Sequence, residues 1–312
     1  MKTLIKKNFY YVNMFNPELE GKASSSRCRG GRGMRFGGSV PPATDVIDYV
    51  AISTLSNATD FGNLSAARYS FAATTIGSRG VVGGGNGPQD TIEYVTISTT
   101  GNMTDFHELT QSRYQLAATT DGSRGVFLTG GAPPPNLSDT LDYITIGVPG
   151  ACTDFGNYRT GAIRYPAGTT NGYRGMICGG LTTPTYLSNI DYITIGTTGN
   201  SIDYGGELTM LSGYNNGADD GSRTITAGGH PGPVNTIDYF NIGSTGMAAD
   251  FGDLIIATAS IGGCGDGSRA IFSGGDGPVD TMQYVTVGST GNAADFGELQ
   301  QGAGACASTS GD

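Results

Sequence analysis

Around Tyr94 the chain reads Thr91-Ile92-Glu93-Tyr94-Val95-Thr96-Ile97, alternating in the period-two manner of a half-buried strand. Thr99-Thr100-Gly101-Asn102 follows as a turn, with Gly and Asn free to take positive φ. A second short strand surrounds Asp105-Phe106, and a third is expected from Arg113 through Thr119. Asp121-Gly122-Ser123 makes a tight hairpin turn into a fourth strand, Gly125 to Gly131.

This unit recurs six times. A Tyr preceded by an acidic or amide residue marks each copy: Asp48-Tyr49, Glu93-Tyr94, Asp142-Tyr143, Asp191-Tyr192, Asp238-Tyr239 and Gln283-Tyr284. Eleven residues after each Tyr stands an Asp followed by an aromatic, from Asp60-Phe61 to Asp295-Phe296. A Gly-Ser-Arg turn comes next (Arg79, Arg124, Arg223 and Arg269, with Gly172-Tyr173-Arg174 as the variant), then a strand ending in Gly-Gly. The Tyr-to-Tyr period of 45 to 49 residues, with four strands per period, is that of a propeller blade. The expected fold is all-β, a six-bladed β-propeller of four-stranded blades, with residues 1–26 as an N-terminal arm or linker and 27–312 as the propeller.

The order Gly-Gly, Tyr, aromatic, Arg resembles the Kelch repeat over residues 32 to 312. That family places its double Gly at the end of the second strand, its Tyr in the third and a Trp in the fourth. This chain has no Trp, and Phe61, Phe106, Phe155, Tyr204, Phe251 and Phe296 stand in its place, which marks a divergent branch. The wording Asp-Tyr-Ile-Thr-Ile, Thr-Thr-Gly-Asn and Asp-Phe-Gly is similar to repeats of virion proteins of marine bacteriophages.

The ends of the chain carry incomplete copies. Arg32-Gly33-Met34-Arg35-Phe36-Gly37-Gly38 matches the second strand of a blade, and Leu299 to Ser310 fits the first. One blade is therefore expected to be shared, residues near 301 to 310 giving its innermost strand and residues 32 to 64 the other three. Such pairing hides sheet edges that would otherwise template aggregation.

Composition narrows the function classes. A net charge of −10 argues against a nucleic-acid partner, which needs a basic stripe. No stretch approaches the roughly 18 apolar residues of a membrane span, so membrane insertion is not expected. The start, Met1 to Lys7, is basic, but Asn8 to Asn13 is too short and polar for a secretory core, so no secretory signal is expected. Five Cys without a CxxC fit free thiols better than a disulfide framework.

Chemistry is sparse. His107 and His230 lie far apart in sequence, the thiols have no basic niche, and Asp276-Gly277 and Asp219-Asp220-Gly221 lack the spaced oxygen ligands of a calcium loop. No catalytic, metal or cofactor site is expected. The segments joining second and third strands vary in length and open onto one face, the place where a rigid scaffold carries recognition. The candidate binding residues there are Asn86, Gln89, Asp90, Asn136, Asp139, Tyr186, His230, Asn235, Asp276 and Asp280. Phe9, Tyr10, Tyr11 and Phe15 make an aromatic patch suited to an assembly arm.

The function expected is a non-enzymatic binding or assembly module, a virion structural protein of a phage, tail- or capsid-associated and made in the host cytoplasm. Its partners would be other virion proteins or neighbouring subunits, with a host-surface glycan or protein as a further candidate. The alternative is an intracellular Kelch-type adaptor for protein–protein interaction.

Overall fold

The computed structural model describes residues 29–133, 136–277 and 279–311. The arm residues Phe9, Tyr10, Tyr11 and Phe15 lie outside them. Six four-stranded antiparallel sheets surround an axis, and among the described residues there is no helix. The second blade shows the pattern. Ala72–Thr75 is innermost, Arg79–Gly83 and Gln89–Thr96 follow, and Thr104–Arg113 is outermost. Arg113 therefore ends an outer strand, and the inner strand of the third blade starts only at Ala117. The six inner strands are Ala307–Gly311, Ala72–Thr75, Ala117–Thr120, Ala167–Thr170, Asn216–Asp219 and Gly262–Gly265, each beside the next and the last beside the first.

The shared blade closes as the repeat boundaries require. Arg32–Gly38 pairs antiparallel with Ala307–Gly311, Phe36 opposite Ala307 and Arg32 opposite Gly311. On its other side the same strand pairs with Thr44–Ala51, which pairs with Thr59–Asn63.

Apolar side chains gather in six clusters, each spanning two consecutive blades. Phe61 of the first blade packs with Val82, Val95 and Ile97 of the second, and Phe106 of the second with Phe127, Ile144 and Ile146 of the third. The aromatic residue after each recurrent Asp is thus the wedge between blades, worth roughly 1.5–3 kcal/mol on full burial. It also meets its own blade's Tyr edge to face, as in Tyr49–Phe61 at 5.9 Å and 82°. The Gly after the wedge lets the next blade approach: at Gly156, φ +146°, an added Cβ would stand 2.5 Å from the Gly199 carbonyl oxygen.

Two polar rings complete the frame. Each turn arginine lies over the Tyr of its own blade, as Arg79 does 4.3 Å from the centre of Tyr94. Its guanidinium then donates to a carbonyl of the next blade. Arg32 donates to Ile97, Arg79 to Ile146, Arg124 to Ile195, Arg174 to Ile242, Arg223 to Val287 and Arg269 back to Ile52, completing the circle. The acidic or amide residue before each Tyr is buried. Asp48 pairs with Arg35, Glu93 with Arg68, Asp142 with Arg113 and Asp191 with Arg159. Asp238 accepts from the Thr209 amide and hydroxyl, and Gln283 from the Ile255 amide.

Candidate binding site on the loop face

The residue leading into each inner strand sits at one mouth of the axial channel. These six, Ser70, Gln115, Tyr165, Tyr214, Ser260 and Ala305, all have left-handed backbone, with φ between 51° and 62°. For residues with a Cβ that conformation costs about 1–2 kcal/mol each. It aims every amide at the carbonyl of the preceding ring member. Gln115 donates to Ser70 at 2.6 Å, Tyr165 to Gln115 at 2.7 Å, Tyr214 to Tyr165 at 3.1 Å and Ser260 to Tyr214 at 2.8 Å. Ala305 donates to Ser260 and Ser70 to Ala305, both at 2.7 Å, so the hydrogen bonds form a closed circle.

Around this circle the loops that follow the double glycines converge, so the variable segments share the face with the channel mouth. Tyr186, His230 and Asp276 come together. His230 Nε2 is 3.0 Å from Asp276 Oδ2, and the rings of Tyr186 and His230 lie 6.3 Å apart. The other sequence candidates stand separately around the rim. Gln89 donates to the Asn86 carbonyl at 3.4 Å, and Asp90 accepts from Ser112 at 3.3 Å, within their own blade. Asn136, Asn235 and Asp280 are exposed and Asp139 is half-buried.

Residues that motif reading passed over extend the trio to the axis. Tyr214 meets His230 edge-on, ring centres 5.0 Å apart, and stacks on Tyr165 at 3.3 Å and 22°. Burial and the Tyr214 hydroxyl push the Tyr165 phenol well above its ordinary range, so it stays protonated. The Arg164 guanidinium lies 5.7 Å over Tyr165 and donates to Gln115 Oε1 at 3.3 Å. Below them is a cavity of about 100 Å³. Its wall includes the column Phe71, Leu116, Pro166, Asn215, Ile261 and Cys306, which is apolar except for one amide. That column, and the variation among Ser, Gln, Tyr and Ala one place before it, could be read from an alignment of the six copies.

The channel's other end, on the side of the near-identical turns, is a threonine-lined cavity of about 80 Å³. Arg29 closes it, its guanidinium paired with the Asp219 carboxylate and its Nε donating to the Asp219 carbonyl at 3.0 Å. Among the described residues no group of three or more His, Cys, Asp and Glu is placed to hold a metal ion.

Compared with models of protein families and with curated protein sequences, the chain matches none.

The turn arginines and most of the acidic residues before each Tyr are committed to the frame, in ion pairs, carbonyl bonds and ring stacks, whereas the Asp before each wedge aromatic is exposed. Tyr165, Tyr186, Tyr214, His230 and Asp276, which depart from the repeat, collect on the loop face of the fourth to sixth blades.

Proposed function

We propose that this β-propeller is a divergent Kelch-type, non-enzymatic binding and assembly module, serving as a structural protein of a phage virion and made in the host cytoplasm. The observation that carries the binding reading is the grouping of Tyr165, Tyr214, Tyr186, His230 and Asp276 around one channel mouth. Support for the Kelch-type reading comes from strand placement: Gly84-Gly85 follow a second strand, Tyr94 lies in a third and Phe106 in an outer strand. The two faces then divide the work, the variable loop face engaging a host-surface glycan or protein and the turn face, where Arg29 enters the axis, turning towards other virion proteins or neighbouring subunits.

Quantitative mass spectrometry of purified particles tests this. The proposal expects the chain at a fixed ratio to capsid or tail proteins. A free monomer absent from particles would contradict the virion role and favour an intracellular adaptor.

A further inference from the structure

Every other described arginine is held in an ion pair or in the circle of carbonyl bonds, and Arg164 is in neither. Its guanidinium stands at the loop-face mouth of the channel, 5.7 Å over Tyr165, with Nη1 donating to Gln115 Oε1 at 3.3 Å. Arg164 Nη2 and Gln115 Nε2 make no hydrogen bond, and neither is enclosed by the protein. The counterparts of Arg164 in the other repeats are Tyr69, Tyr114, Gly213, Ala259 and Gly304, so the frame itself does not call for a cation here. A guanidinium is charged at every ordinary pH, and this one has no carboxylate of its own chain among the described residues.

We propose that Arg164 takes the carboxylate of an acidic saccharide residue, a uronic or sialic acid, with the Gln115 amide donating to a neighbouring hydroxyl. This rests on the loop-face reading above and names the ligand class for it. Three features select that class. Beyond its bond to Gln115, the guanidinium keeps N–H groups on both Nη1 and Nη2, the fork that meets two carboxylate oxygens at once. The site offers a single positive charge: the other described arginines are committed, and the described residues include no lysine. A monovalent carboxylate is matched by that charge, whereas a phosphate dianion would carry one charge unmatched. The surface beside the guanidinium is neutral and amphipathic, the Gln115 amide and then the Tyr165–Tyr214 pair, all lining the channel mouth. A pyranose that carries a carboxylate, hydroxyls and C–H faces on one ring meets all three kinds of group, and an isolated acidic side chain meets the first alone.

The test is saturation-transfer NMR and titration calorimetry on the full chain. The probes are the methyl glycosides of glucuronic acid and N-acetylneuraminic acid. Their neutral methyl esters, inorganic sulfate and N-acetylglutamate amide serve as controls. At least one acidic glycoside should bind, and its ester and both anion controls should bind about tenfold more weakly or not at all. Arg164→Ala should weaken binding by about tenfold or more, and Arg164→Lys, which keeps the charge without the fork, should restore only part. The Ala variant carries the residue found at Ala259 and should melt with the parent. Gln115→Ala, which leaves the guanidinium in place, provides a second variant and should weaken binding several-fold. No binding of either acidic glycoside, equal binding of the esters or of the anion controls, or unchanged affinity in both alanine variants overturns the inference. Particle or host-surface attachment, measured in parallel with a Tyr186→Ala/Asp276→Ala variant, separates the two readings. Attachment lost in that variant while no acidic glycoside binds the parent overturns the saccharide assignment alone. Attachment unaffected by every variant, with no acidic glycoside bound, overturns the loop-face reading as well.

Discussion

The side chains of Arg113 and Asp142 meet across the boundary between the second and third blades with neither exposed to solvent. Arg113 also donates to the carbonyls of Thr129 and Thr140, both at 2.7 Å, so one guanidinium holds three points of the neighbouring blade. Burial pushes the Arg113 pKa down, and the nearby Asp142 carboxylate opposes the shift. Breaking such a pair from one side strands a charge, which costs about 3–5 kcal/mol, whereas replacing both partners by apolar residues is often neutral. Arg113→Met should therefore lower the denaturant midpoint strongly, and Arg113→Met with Asp142→Leu should recover most of the loss. A single variant as stable as the parent would show that the pair does not hold the boundary.

Asp238 occupies the same place in the fifth blade, where it has no basic partner among the described residues and is held by Thr209. Burial raises its pKa above the ordinary carboxylate value, with the bonds from Thr209 opposing. The folded state thus holds the proton more tightly than the unfolded state. The stability from this group is fully present below the ordinary Asp range and is lost as pH rises through the folded value. Asp238→Asn should be more stable than the parent at neutral pH, with the gap closing towards pH 4. The sixth blade already uses an amide there, Gln283. Melting temperatures from pH 4 to 7 check the slope, and an Asn variant less stable than the parent at neutral pH would contradict it.

The shared blade makes the last strand a structural clasp. Phe36, fully buried, lies opposite Ala307, and Cys306 packs within the same wall. Deleting residues 304–312 removes the inner strand of the first blade and leaves Arg32–Gly38 with one bare edge. The expected result is a lower and broader melting transition with self-association in analytical ultracentrifugation. A monomer with the parent's transition would show that the ring does not depend on this pairing.

Among the described thiols Cys178 and Cys306 are buried and Cys152 and Cys264 partly so, and desolvation favours the protonated form of each. Cys152 and Cys264 are pushed up to about 12, and burial raises Cys178 and Cys306 as well. Because the thiolate is the reactive form, native protein at pH 8 should leave these four unmodified by an aromatic disulfide reagent, and denatured protein should release them. Fast native labelling at any of the four would contradict the packing around it.

The architecture was legible because the repeat is written in residues with one job each. Tyr94, Phe106, Arg124 and the Gly130-Gly131 pair recur at near-fixed spacing, and each occupies the strand or turn that the spacing implies. Arg113 was misplaced in an inner strand because local β-pattern alone does not reveal that a chain has left one blade for the next. The site was legible in part. Tyr186, His230 and Asp276 drew notice through variable loops, but Arg164, Tyr165 and Tyr214 did not, because they lie inside the repeat where variation reads as drift. Their significance comes from the ring itself, which brings residues about 50 positions apart to one channel mouth.

The most direct test of the account is hydroxyl-radical footprinting of the protein free and in its native complex. The account expects protection of Tyr165, Tyr186, Tyr214 and His230 on the loop face when the host-surface partner is bound. Protection confined to the opposite side, at Val148, Tyr173 and Met247, with the loop-face residues as reactive as in the free protein, would contradict it.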